Sequence, residues 1–114
     1  MATEYFFTEG CYLIEWWNTP ADESVSIARA RVLPGMTTRW HRLQGVSERY
    51  LILEGQGCVE LGTLPPEPVR PGAVVFIPPE TLQRITNIGD IDLIFLAVCT
   101  PRFIPACYQD VGAS

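Results

Sequence analysis

Residues 35–55 read GMTTRWHRLQGVSERYLILEG and residues 72–87 read GAVVFIPPETLQRITN. In the first stretch two runs of strand character, 37–43 and 48–54, flank the turn signal Gln44-Gly45. Tyr50 to Leu53 are apolar without a break, so this strand is expected to be covered on both sides, between a barrel interior and another layer. In the second stretch AVVFI at 73–77 and QRITN at 83–87 are separated by Pro78-Pro79. Each stretch therefore reads as strand, turn, strand.

The same rhythm extends in both directions. Further turn signals lie at Asn18-Thr-Pro, Pro34-Gly35, Gly55-Gln-Gly57, Pro65-Pro66, Pro71-Gly72, Asn87-Ile-Gly-Asp90 and Thr100-Pro101. Strands are expected near 11–17, 25–32, 37–43, 48–54, 57–61, 73–77, 83–87 and 91–99. Strands so spaced suggest a sandwich or small barrel. Ten prolines and nine glycines in 114 residues leave little uninterrupted length for helices, and 47% apolar residues supply a core. The expectation is one all-β domain over 1–114.

Both stretches resemble the paired motifs of the cupin superfamily. The first family pattern, G-x5-HxH-x3,4-E-x6-G, is met by Gly35, His41, Glu48 and Gly55. The second, G-x5-PxG-x2-H-x3-N, is met by Gly72, Pro78 and Asn87. With the strands around them, the likeness covers roughly residues 25–100. It implies a double-stranded β-helix, or jelly-roll barrel, whose mouth holds a divalent metal through two His and the Glu of the first motif and the His of the second. Those positions here are His41, Leu43, Glu48 and Gln83, so two of three imidazoles are replaced. The second-motif glycine is replaced by Glu80.

Alternation of side chains gives an independent view of the same residues. A strand through 37–43 puts Thr37, Arg39, His41 and Leu43 on one face. If His41 looks inward, so does Arg39. The inward sets of the next strands are Glu48, Tyr50 and Ile52, and Gln83, Ile85 and Asn87. Polar groups on apolar walls are the usual build of a small-molecule pocket.

Three chemistries are open to this set. His41, Glu48 and Gln83 could coordinate one cation, manganese or iron(II) in preference to zinc. Alternatively Arg39 answers a buried Glu48, or stays free to clamp a carboxylate or phosphate on a ligand. Glu48 and His41 could also serve as general base and acid, with Tyr50 donating a hydrogen bond.

Composition narrows the classes further. Net charge is minus 5 with no basic cluster, which disfavours nucleic acid. All eight basic residues are Arg, so no lysine Schiff base can form, and the single histidine excludes sites needing two imidazoles from one chain. No run is long enough for a membrane span and no secretory signal is evident, so a cytoplasmic location is expected. Cys11, Cys58 and Cys99 are expected as buried apolar residues and Cys107 as exposed in the tail. Trp16, Trp17 and Trp40, with residues 11–17 and the tail from Arg102, are expected to cover the barrel or an interface, and a homodimer is the default assembly.

The resulting expectation is a small cupin binding a polar or anionic molecule through Arg39, His41, Glu48, Tyr50 and Gln83. The alternatives are a metal-dependent oxygenase, isomerase or lyase acting on a small acid or sugar, and a structural or regulatory module.

Overall fold

The computed structural model describes residues 3–112. Eleven strands run in chain order: β1 Tyr5–Phe7, β2 Cys11–Thr19, β3 Asp22–Val32, β4 Trp40–Leu43, β5 Ser47–Glu54, β6 Gly57–Leu61, β7 Glu67–Val69, β8 Val74–Ile77, β9 Gln83–Asn87, β10 Leu93–Thr100 and β11 Tyr108–Gly112. They form a six-stranded sheet, β1-β2-β3-β10-β5-β8, and a five-stranded sheet, β11-β4-β9-β6-β7. All pairings are antiparallel. The expected all-β double-stranded β-helix is the observed architecture. The three strands not anticipated, β1, β7 and β11, are short or lie near the chain ends.

The space between the sheets changes character along its length. Ile52, Val59, Ile85, Leu93 and Phe95 form one buried apolar cluster, and Leu43, Val46, Cys99 and Cys107 form another. Fully burying a side chain such as Ile85 or Leu93 contributes about 1.5–3 kcal/mol. Along β5 the inward series Glu48, Tyr50, Ile52 runs from polar to apolar, which places the polar site at one end.

Several motif residues hold the frame that aims the site. Asn87 donates from its Nδ2 to the carbonyls of Val32 and Ile91, 2.8 Å each, and its Oδ1 accepts from the Gly89 N–H at 2.9 Å. Gly55 has φ +81°, and a Cβ there would stand 2.7 Å from the Asp92 carbonyl oxygen, so a side chain is excluded. Glu80, at the motif position usually held by glycine, adopts φ 63°. Its carboxylate accepts from the Gly45 N–H at 2.6 Å and its own N–H donates to the Leu43 carbonyl at 2.9 Å, which pins this turn beside the end of β4.

Three expectations are corrected. First, the strand expected through 37–43 begins only at Trp40, and Thr38 rather than Thr37 or Arg39 is buried before it. Thr38 exchanges hydrogen bonds with Ile85, while the Arg39 N–H bonds the Glu9 carbonyl, so the alternation breaks at Arg39. Second, Cys107 is buried rather than exposed, because a 3-10 turn at Pro105–Cys107 folds it into the second cluster. Third, β5 is covered on one side only: Tyr50 and Ile52 are buried, but Leu53 on its other face is exposed.

Candidate active site

The two sheets contribute opposite walls to one polar site. On the five-stranded sheet His41 and Gln83 are direct cross-strand partners of β4 and β9. On the six-stranded sheet Glu48 and Cys99 are partners of β5 and β10. His41 and Gln83 are each 1% exposed and Glu48 is 7% exposed. Four of the five singled-out residues, His41, Glu48, Tyr50 and Gln83, are thus gathered inside the barrel.

Arg39 is not among them. Its guanidinium lies at the surface and pairs with Asp110 of β11, Nε to Oδ2 2.6 Å. The break in alternation that buries Thr38 turns Arg39 outward, so it neither answers Glu48 nor stands free to clamp an anion. Its backbone still serves the site: the N–H holds the Glu9 carbonyl, 2.8 Å, and the carbonyl accepts from His41 Nδ1, 2.6 Å.

That last bond fixes the imidazole. A carbonyl oxygen can only accept, so Nδ1 carries the proton and neutral His41 presents a lone pair on Nε2. Nε2 lies 3.3 Å from Oε1 of Glu9, and the ring stacks on Tyr108 with centroids 5.3 Å apart. Burial lowers the His41 pKa; the Arg39 carbonyl and the Glu48 charge oppose that effect.

Glu9 is the residue that sequence reading missed. It sits in the turn joining β1 to β2, held over the barrel mouth by Arg39, and is anchored at its other oxygen by the Cys11 thiol at 3.8 Å. Burial pushes its carboxyl up to about 8, with the Cys11 hydrogen bond opposing. No motif marks it; the turn residues Thr8-Glu9-Gly10 ahead of the apolar run 11–14 are the only local signal.

Glu48 is raised to about 7, first by burial and then by the charge of Glu9, with His41, Gln83 and Cys99 opposing. Its Oε1 is buried with no hydrogen-bond partner. Tyr50 lies behind it, donating to Gln83 Oε1 at 2.6 Å, with its ring against Phe95. A chamber of about 60 Å³ opens in front of Glu48, with Glu9, His41, Leu43, Cys99, Phe7 and Phe103 in its walls. Two carboxyls of near-neutral pKa beside one imidazole in an apolar enclosure form a set able to take up and release protons.

A metal fits this set poorly. Leu43 places a hydrocarbon wall where the family has its second imidazole, and the Gln83 oxygen already accepts from Tyr50. Among the described residues no three His, Cys, Asp or Glu side chains are grouped to hold an ion. The expected manganese or iron site at His41, Glu48 and Gln83 is therefore not supported by the donors present.

The structure superposes on Streptomyces Pac13, described as a nucleoside dehydratase, with TM-score 0.81 and 19% identity over 98% of this chain and 86% of that one. A double-stranded β-helix domain protein of Klebsiella pneumoniae superposes with TM-score 0.78 and 14% identity, over 93% of this chain and 88% of that one. The chain has the double-stranded β-helix fold of the cupins. No family model matches the sequence. The chain is 37% identical over 78 residues to an uncharacterised protein of Methanocaldococcus jannaschii, covering 68% of this chain and 62% of that protein. It is 38% identical over 63 residues to glucose-6-phosphate isomerase of Pyrococcus horikoshii, covering 52% of this chain and 33% of that enzyme. The chain thus spans between one third and two thirds of the length of these curated relatives.

Proposed function

We propose that this cupin binds a small, neutral, hydroxyl-bearing molecule at the barrel mouth, and that Glu48 and His41 exchange protons with it. The observation that carries this reading is the buried, unpartnered Oε1 of Glu48, a residue that lines the chamber. A buried acceptor without a donor costs about 1–3 kcal/mol, and a ligand hydroxyl would remove that cost. The chamber wall holds acids and one neutral imidazole. Among the described residues no cation lines the chamber itself: Arg39 is committed to Asp110 outside, and Arg102, in the adjoining groove, donates to Asn18 Oδ1 at 2.8 Å, which disfavours the anionic half of the expected ligand class inside the chamber.

The proton chemistry follows from position. A carboxyl near pKa 7 can abstract or deliver a proton at neutral pH, and the Nε2 lone pair of His41 is oriented by the Arg39 carbonyl. Glu9 would hold His41 in register and return its proton. The fold neighbours support the ligand class without identifying the ligand: Pac13 was crystallised with uridine, and the Staphylococcus aureus capsular polysaccharide assembling protein CapF superposes at TM-score 0.78 with 21% identity. Isothermal titration with neutral polyols, ribose and uridine first, tests the proposal. Binding by the wild type and its loss in Glu48→Leu is the expected result; equal binding by both would refute it.

The four free cysteines fit a reducing compartment such as the cytoplasm. No helix among the described residues is long and apolar enough to cross a membrane. Pairing as a twofold dimer is the reading we favour for the outer face of the six-stranded sheet. There Leu96, Leu51 and Val74 are cross-strand neighbours in one row, and Val98, Arg49 and Phe76 in the next. Val74, Phe76, Leu53 and Trp16 are exposed on the single chain. An apolar sheet face of this kind commonly marks an interface.

A further inference from the structure

The chamber before Glu48 is too small for a whole sugar. Its volume of about 60 Å³ suits a group of a few heavy atoms, on the scale of a few water molecules. Beyond it lies a groove of about 520 Å³, and the two share Tyr5, Phe7, Glu15, Asn18 and Phe103 as walls. A ligand that reaches Glu48 must therefore leave most of its bulk in the groove.

The groove has a chemistry of its own. Four aromatic rings, Tyr5, Phe7, Phe103 and Tyr108, line it, with Thr8, Glu15, Asn18 and Arg102 as polar edge. Phe7 meets Phe103 edge to face at 6.4 Å and Tyr108 edge to face at 5.1 Å, so these rings form a preassembled apolar slot. Tyr108 also stacks on His41, joining slot and chamber. Its hydroxyl is buried and, like Glu48 Oε1, has no hydrogen-bond partner. Each compartment thus has, on one of its lining residues, a buried polar atom without a partner.

We infer that the ligand is bipartite: a planar ring carrying a polar edge lies in the aromatic groove with the Tyr108 hydroxyl bonded to that edge, while a short hydroxylated arm enters the chamber to reach Glu48. This inference rests on the reading that the barrel takes a neutral hydroxylated molecule, and it adds the ring and the residue that selects it. Tyr108 is a positioning residue: it sets the ring, and the ring sets the arm. Because the hydroxyl has no partner within the fold, Tyr108→Phe removes a ligand contact without removing a structural one.

Isothermal titration with uridine, ribose and uracil, on the wild type and on Tyr108→Phe, tests it. Uridine should bind about tenfold more tightly than either fragment, as expected for one stacked ring. Tyr108→Phe should weaken uridine by about three- to tenfold, the loss of one hydrogen bond, with ribose binding unchanged and the melting temperature of the free protein raised, because a buried unpartnered hydroxyl is removed. Ribose or uracil binding as tightly as uridine, or a Tyr108→Phe variant indistinguishable from wild type toward uridine, would overturn the bipartite ligand while leaving the neutral-ligand reading in place. Failure of both ribose and uridine to bind the wild type would remove that reading and this inference together.

Discussion

Glu9 and His41, brought together from a β-turn and a strand 32 positions apart in the sequence numbering, face each other at 3.3 Å through Oε1 and Nε2. The Arg39 peptide holds both, donating to the Glu9 carbonyl and accepting from the opposite ring nitrogen of His41. The imidazole is thereby locked with its proton on Nδ1. Nitrogen NMR of the single histidine should report this tautomer at neutral pH. Replacement of Glu9 by Ala should leave the Nδ1 proton in place while shifting the Nε2 resonance. A wild-type ring protonated at Nε2 alone would contradict this account of the site.

Stability should depend on pH in a defined sense. Glu9 and Glu48 ionise near 4.5 when free but are raised to about 8 and about 7 in the fold, chiefly by burial. Between those values the unfolded chain has released protons that the native one still holds, so stability falls as pH rises and levels off above the folded pKa. His41, lowered by burial from 6.5, acts oppositely: its contribution is lost as pH drops below 6.5. From pH 6.5 to 8 the carboxyls therefore dominate. Urea unfolding should show stability declining across that window, by at most about 1.4 kcal/mol per pH unit for each carboxyl. Glu9→Gln and Glu48→Gln should each flatten the decline.

The donor set also makes a statement about metals. With Leu43 in the wall and Gln83 bonded to Tyr50, added manganese or iron(II) should leave the melting temperature of protein purified without an affinity tag unchanged. A saturable rise that disappears in Glu48→Gln would show that the carboxyls do hold an ion.

Association can be read directly. If the outer sheet face pairs two copies, sedimentation should give a dimer at micromolar concentration, and Phe76→Asp should shift it to monomer with the same circular dichroism. Phe76 is half exposed on the single chain, so the substitution does not disturb the core. A wild type that sediments as a monomer would exclude the pairing.

The two motifs made the barrel legible because their glycines, proline and asparagine do structural work that the sequence displays: Gly55 avoids a peptide and Asn87 ties three backbone groups. The resemblance to those motifs also pointed to His41, Glu48 and Gln83, which are buried on facing strands of the two sheets. Arg39 could not be placed, because alternation fails where the Thr38 side chain captures the Ile85 peptide, an event set by tertiary contact. Glu9 and Tyr108 escaped for a related reason. Both lie outside the motifs, on a turn and on an end strand that reach the mouth only once β1 and β11 have been added to the sheet edges.

The most direct test is a crystal structure of the protein soaked with uridine near pH 6.5. The account predicts a ligand oxygen within hydrogen-bond distance of Glu48 Oε1, inside the chamber shared with His41 and Glu9. A ligand lodged elsewhere while that oxygen stays unpartnered, or a metal ion bound between Glu48 and His41, would contradict it.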